Sequence, residues 1–195
     1  MFKTMTLEEQ KAQKSRSAKL LLIVAMVSMT MMFAGITSAF FVSKSRVDWM
    51  KDFVMPTPFF VSTVCLLLVS LAFFLAKRAI KKDDQKSTSL FLIAAFVLGI
   101  AFVYFQFQGF DVMISQGNFF TGPQSNITST FLYVVVVTHL AHVAGGFISL
   151  LVIIYNHFKQ KYNSSQFLGI ELGAMYWHFL DFLWIYLFLF LYFFK

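Results

Sequence analysis

An all-α fold, a bundle of five membrane-spanning helices, is what this sequence predicts, on three observations. Of its 195 residues 58% are apolar and only 13% are charged, and its mean hydropathy of +0.72 is far above that of a water-soluble domain. Five apolar runs of about 20 residues or more fill over half the chain, each long enough to cross about 30 Å of hydrocarbon as a helix. Basic residues stand at the ends of those runs, where lipid headgroups lie, so the membrane surface explains the net charge of +7 better than a nucleic acid does.

The first span is expected at 20–42, between Lys19 and Lys44. Residues 1–19 before it read as a solvated tail, in preference to a short interfacial helix with Leu7 as an anchor. The run is too long for the core of a cleaved signal and follows Glu8 and Glu9, so it is taken as a retained helix. The second span, 55–76, opens on Pro56 and Pro58, where a helix tolerates the missing amide donor, and ends at Lys77 and Arg78. The third is placed at 88–110, the fourth at 127–155 before Lys159, and the fifth at 172–194. The aromatic run Phe188–Phe194 reads as a lipid-facing surface and interfacial belt. Nothing between the spans is long enough for a separate soluble domain, so residues 20–195 are expected to form one membrane domain.

Orientation follows from the basic residues. The N-terminal tail, the segment Lys77–Lys86 and the pair Lys159 and Lys161 hold 12 of them, and the alternate segments hold 4. Positive charge resists translocation, so the sequence predicts a cytoplasmic N-terminus and an outer C-terminus.

Several features carry little chemistry. Cys65 is the single cysteine and lies inside a span, so it offers neither a disulfide nor a paired-thiolate metal site. The ten methionines have no metal-ligand spacing and read as packing. Asn126–Thr128 and Asn163–Ser165 match a glycosylation pattern short enough to recur by chance. Gln106, Gln108 and Asp111 near the outer end of the third span either line a pore or simply reach headgroups. There is no phosphate-binding loop and no nucleophile with a base, which leaves intrinsic hydrolytic or transferase chemistry without a foundation.

The informative residues are the ionisable groups within spans, each costing at least about 2.5 kcal/mol at mid-bilayer and therefore needing a partner or a task. In span four His139 and His142 share a face, followed by Gly145 and Gly146, which allow close approach of another helix. In span five Glu171, Ala174, His178, Asp181 and Ile185 form one stripe at steps of three and four. A metal, haem or proton-relay site built from His139, His142, His178 and Asp181 is one reading. The preferred one is a structural polar hub of His139, His142, Glu171, His178 and Asp181 that clamps spans four and five. No paired thiolates exist for a dinuclear copper site, and two histidines on one face do not ligate haem from opposite sides.

Two segments resemble a known family. THLAHVAGG, Thr138–Gly146, resembles the HxxHVxxG signature of cytochrome c oxidase subunit III, and GIELGAMYWHFLDFLWI, Gly169–Ile185, resembles its GxExxxxYWHFVDxxWx segment, with Tyr176, Trp177 and Trp184 at the motif positions. Gln108 and Asp111 fall where the family has a Gln and, three residues on, a Glu, and Phe33–Gly35 resembles its FAG. The resemblance runs from about residue 20 to the end of the chain. Two departures matter. Many members have seven helices and this chain has five, as in bacterial short forms and the related third subunit of quinol oxidases, so the lipid-filled cleft walled by the first two is expected to be open, closed by another subunit, or absent. Met29 replaces the family's buried Glu, and no role of that acid carries over.

The resemblance implies an accessory subunit of a proton-pumping haem-copper terminal oxidase in the bacterial inner membrane. No catalytic, cofactor or metal residue is expected in this chain, whereas haem and copper belong to partner subunits, a catalytic subunit I and a copper-bearing subunit II. It further implies contact with membrane phospholipid, support of proton uptake, protection from turnover inactivation, and compatibility with a larger respiratory supercomplex. The electron donor is read by other chains, which leaves open a quinol oxidase or nitric oxide reductase subunit. A transporter or channel is the reading from another class, disfavoured because neither inverted repeats nor broken helices occur.

Overall fold

A computed structural model describes residues 6–46, 49, 54–123 and 125–194, with the Leu7 side chain outside the described part. Among the described residues are five helices: α1 Leu7–Ser43, α2 Thr57–Ile80, α3 Gln85–Ser115, α4 Ile127–Phe158 and α5 Leu168–Phe194. All five are long and apolar enough to cross a membrane. Helices suit this setting because they satisfy every backbone group internally where no water is present.

The helices run further than the apolar runs. Charged residues 7–19, expected as a tail, are helical and continuous with the first span. The start is fixed by a capping box: Thr6 Oγ1 accepts from Glu9 N at 3.3 Å while Thr6 N donates to Glu9 Oε2 at 2.8 Å. With 37 residues α1 reaches about 55 Å, well beyond the hydrocarbon core. Asp84 caps α3 by accepting from Ser87 N at 3.0 Å and Ser87 Oγ at 2.6 Å. The two matches to the glycosylation pattern are likewise structural elements: Asn126 caps α4 by accepting from Ser129 N at 2.8 Å, and Asn163 accepts from Ser165 N and Gln166 N in the turn before α5.

Helices α2 and α3 form a tight hairpin, α3 packs on α4, α4 on α5 and α5 back on α2, while α1 lies outside this ring against α4 and α5. Helix α5 therefore has three neighbours. Its buried residues, from Ile170 through Trp177 and Trp184 to Leu191, recur over more than one face, whereas α1 buries only the stripe Phe33, Thr37 and Phe40. The closing aromatic run is divided: Phe188 and Leu191 are buried, and Phe193 is exposed. Turns at one end of the bundle are tied together, with Ser164 N donating to Asp83 Oδ1 at 2.6 Å and Gln85 Nε2 to Tyr162 O at 3.0 Å.

Candidate functional site

The two motif-bearing segments meet face to face. Gly146 lacks the side chain that would obstruct Trp177: a Cβ there would stand 3.2 Å from the indole and 3.3 Å from Leu180 Cδ1. The buried indole stacks on Phe73 of α2 at 5.8 Å and meets Phe147 of α4 edge-on at 5.5 Å. Tyr176 donates its hydroxyl to the His142 carbonyl at 3.0 Å, while His142 Nδ1 pairs with Thr138 O of its own helix at 2.8 Å. Gly145, one residue from Gly146, is exposed and meets only Tyr176 Oη, at 3.6 Å from an added Cβ.

One turn further, His139 is fully buried among aromatic rings. Its ring centre lies 5.0 Å from that of Trp184, 6.0 Å from Phe102 and 6.4 Å from Phe33, and neither ring nitrogen has a hydrogen-bond partner among the described residues. Trp184 donates through Nε1 to Thr63 Oγ1 of α2 at 2.9 Å, so a single residue of α5 touches α2, α3 and α4.

The ionisable stripe of α5 faces elsewhere. Glu171 pairs with Lys19 of α1 at 2.8 Å and, more weakly, with Lys77 of α2 at 3.6 Å. His178 Nδ1 bonds to the Ser70 hydroxyl of α2. The Asp181 carboxyl is buried beside that same hydroxyl, and among the described residues neither of its oxygens makes a hydrogen bond of good geometry. Among the described residues no hydrogen bond joins this stripe to His139 or His142. The five residues expected to make one hub thus fall into two places, an α4–α5 seam and an α5–α2 seam that reaches α1 at Glu171.

Other polar contacts lay beyond the reach of the sequence pattern. Gln106, expected at headgroup level or lining a pore, is wholly buried and donates through Nε2 to Ser62 Oγ at 3.0 Å. Gln108 donates to Tyr104 Oη at 2.9 Å on an exposed face, and Asp111 is exposed. Thr37 and Tyr186 join α1 to α5 through their hydroxyls at 3.2 Å. The only advance signal for these was small hydroxyl residues within apolar runs, which does not reveal partners. Among the described residues no group of three or more His, Cys, Asp or Glu is placed to hold a metal ion, and Cys65 is a free thiol.

The class is therefore a polytopic helical membrane protein whose motif residues join helices to one another. Over residues 4–195 it matches the family cytochrome c oxidase subunit III, and the chain belongs to that family. It is 28% identical over 163 residues to cytochrome c oxidase subunit 3 of Bacillus sp. (strain PS3), covering 82% of this chain and 77% of that one. It is 30% identical over 129 residues to the same subunit of Alkalihalophilus pseudofirmus, covering 66% of this chain and 62% of that one. It is also 32% identical over 132 residues to cytochrome bo(3) ubiquinol oxidase subunit 3 of Buchnera aphidicola subsp. Acyrthosiphon pisum, covering 68% and 63%.

Proposed function

We propose that this chain is the accessory third subunit of a haem-copper terminal oxidase in a bacterial cytoplasmic membrane. It packs beside a catalytic subunit I and, with a copper-bearing subunit II, completes the complex; those chains carry the haem and copper. The observation that carries this reading is the use made of the motif residues. Gly146 admits Trp177, Tyr176 holds the His142 carbonyl, and Trp184 ties His139 to Thr63, so the signature is spent on helix packing. Relatives named for cytochrome c and for ubiquinol match at similar identity, in keeping with an electron donor recognised by other subunits.

The end of the bundle holding 12 of the 16 basic residues faces the cytoplasm, which puts the N-terminus inside and the C-terminus outside. Asp181 serves assembly: a buried acid in the α2–α5 seam is tolerated only while that seam stays closed around it.

Affinity purification in mild detergent tests this. Haem absorption and copper should co-purify with the wild-type chain, and the chain purified alone should show no Soret band. Asp181→Asn should weaken retention and Asp181→Leu should weaken it more, with the haem spectrum of the remaining enzyme unchanged and Leu189→Ala without effect. Absence of haem and copper from the complex refutes the oxidase reading. Intact assembly of Asp181→Leu with proton uptake lost from the first turnover makes Asp181 a conduction element instead.

A further inference from the structure

A groove between α2 and α5 at the basic end of the bundle stands apart from the α4–α5 seam. It has a volume of about 510 Å³ and its lining includes Lys77, Arg78, Lys81, Phe74 and Met175. Against three cations it presents one carboxylate, Glu171, whose charge is met by Lys19 at 2.8 Å and only weakly by Lys77 of the groove, at 3.6 Å. Arg78 has no ion pair or hydrogen bond among the described residues, and the Lys81 ammonium has only the Phe167 ring, at 5.9 Å. The groove therefore holds an excess of positive charge with unused donors.

Its depth identifies the ligand. Lys77 and Arg78 end the apolar part of α2, which puts them at headgroup level. Toward the membrane interior the groove reaches His178, and exposed apolar side chains continue along both helices. Phe74 is 55% exposed, Leu71, one turn before it, is 51% exposed, and Phe182, one turn beyond His178 on α5, is 73% exposed. A free anion would use only the cations, and an acidic peptide would leave the apolar strip uncovered. A phospholipid uses both halves at once.

We propose that the groove binds one anionic phospholipid, with the headgroup phosphate held by Lys77, Arg78 and Lys81 and an acyl chain lying along Phe74, Leu71 and Phe182. Basic pockets between transmembrane helices bind such headgroups, and each Lys or Arg contributes about 1 kcal/mol, roughly fivefold in affinity. The site depends on the chain lying in a membrane and not on the oxidase reading, so the two fail separately.

Native mass spectrometry of the complex, exchanged into nanodiscs of phosphatidylglycerol or phosphatidylcholine, tests the site. Wild type should retain one tightly held phosphatidylglycerol that Lys77→Gln/Arg78→Gln/Lys81→Gln loses. Arg78→Gln alone changes an exposed, unpaired side chain and should still fold, with retention about fivefold weaker. Lys82→Gln/Lys86→Gln/Lys161→Gln removes equal charge outside the groove and should keep the lipid. Equal loss from that control, or equal retention of phosphatidylcholine, overturns the proposal in favour of general surface attraction. Displacement by excess inorganic phosphate makes it a free-anion site, and cross-linking of Lys77 to an acidic segment of a co-purifying protein in place of lipid makes it a peptide site; either result also overturns it.

Discussion

One methyl group added at Gly146 probes the α4–α5 seam most directly. In Gly146→Ala the new Cβ stands 3.2 Å from Trp177 Cε2 and Cζ2 and 3.3 Å from Leu180 Cδ1, just inside the 3.4 Å at which ordinary contact begins. The indole has little room to yield, held between Phe73 at 5.8 Å and Phe147 at 5.5 Å. Overpacking of this kind costs about 1–3 kcal/mol, and Gly→Ala in a helix returns up to about 1 kcal/mol, so a net loss of about 0.5–2 kcal/mol is expected. Trp177→Phe removes the indole atoms that the methyl meets. In that background Gly146→Ala should become neutral or stabilising, leaving a coupling of about 1–3 kcal/mol. Unfolding in mixed micelles of sodium dodecyl sulfate, followed by far-ultraviolet circular dichroism, measures all four proteins. Equal losses in the two backgrounds, or a gain in the wild-type background, refute the socket. Gly145→Ala is the control: its methyl meets only Tyr176 Oη at 3.6 Å, and stability should hold or rise slightly.

Four further outcomes are expected. Trp184→Phe loses the Nε1 bond to Thr63, whose hydroxyl stays bonded to Phe59 O at 2.8 Å, and should cost about 0.6–1.7 kcal/mol in the same micelle assay. Glu171→Gln breaks a half-exposed ion pair with Lys19 and should cost no more than about 1 kcal/mol, a difference that shrinks as salt is added. The bonds from Ser87 hold the Asp84 carboxyl below the usual carboxylate range; its stabilising contribution is complete above the ordinary value and disappears as pH falls through the lowered one, so hydrogen exchange in the α2–α3 turn should quicken only in acid. In a Cys65→Ser background, Phe120→Cys should be labelled by an impermeant maleimide from outside and Lys82→Cys from inside; the reverse pattern overturns the orientation.

The five spans were legible because an apolar run long enough to cross lipid is seldom anything but a transmembrane helix. Their ends were less so. A charged stretch such as Leu7–Lys19 continues a helix when a capping box at Thr6 and Glu9 starts one, and hydropathy does not register that. Periodicity placed Glu171, His178 and Asp181 on a single face of α5 without telling which helix that face meets. Pairing them with the histidines of α4 was the economical choice, yet their contacts run to Ser70, Lys77 and Lys19. The same limit applies to Gly145 and Gly146. Both read as small residues for close approach, but about 100° of helix rotation separates them, and only Gly146 is turned toward Trp177. Gln106 was misplaced because position along a span says nothing about whether a side chain points at lipid or at Ser62.

The two sides of α5 explain why one helix carries most of the motif. Toward α4 it offers shape: Tyr176 to a carbonyl, Trp177 to a glycine and Leu180 beside the same glycine. Toward α2 it offers polarity: Glu171, His178 and Asp181 against Lys77 and Ser70. Lipid tails are as apolar as leucine, so neither seam is held by hydrophobic burial; close packing and polar contacts must do it. Trp184 connects the two, with its ring against His139 and Phe102 and its N–H on Thr63. A loss at either seam should therefore be felt at the other. Trp177 also spans α2 and α4, through Phe73 and Gly146, but its N–H has no partner among the described residues. Trp184→Ala, which loses a cross-helix hydrogen bond as well as a buried indole, should therefore impair assembly more than Trp177→Ala.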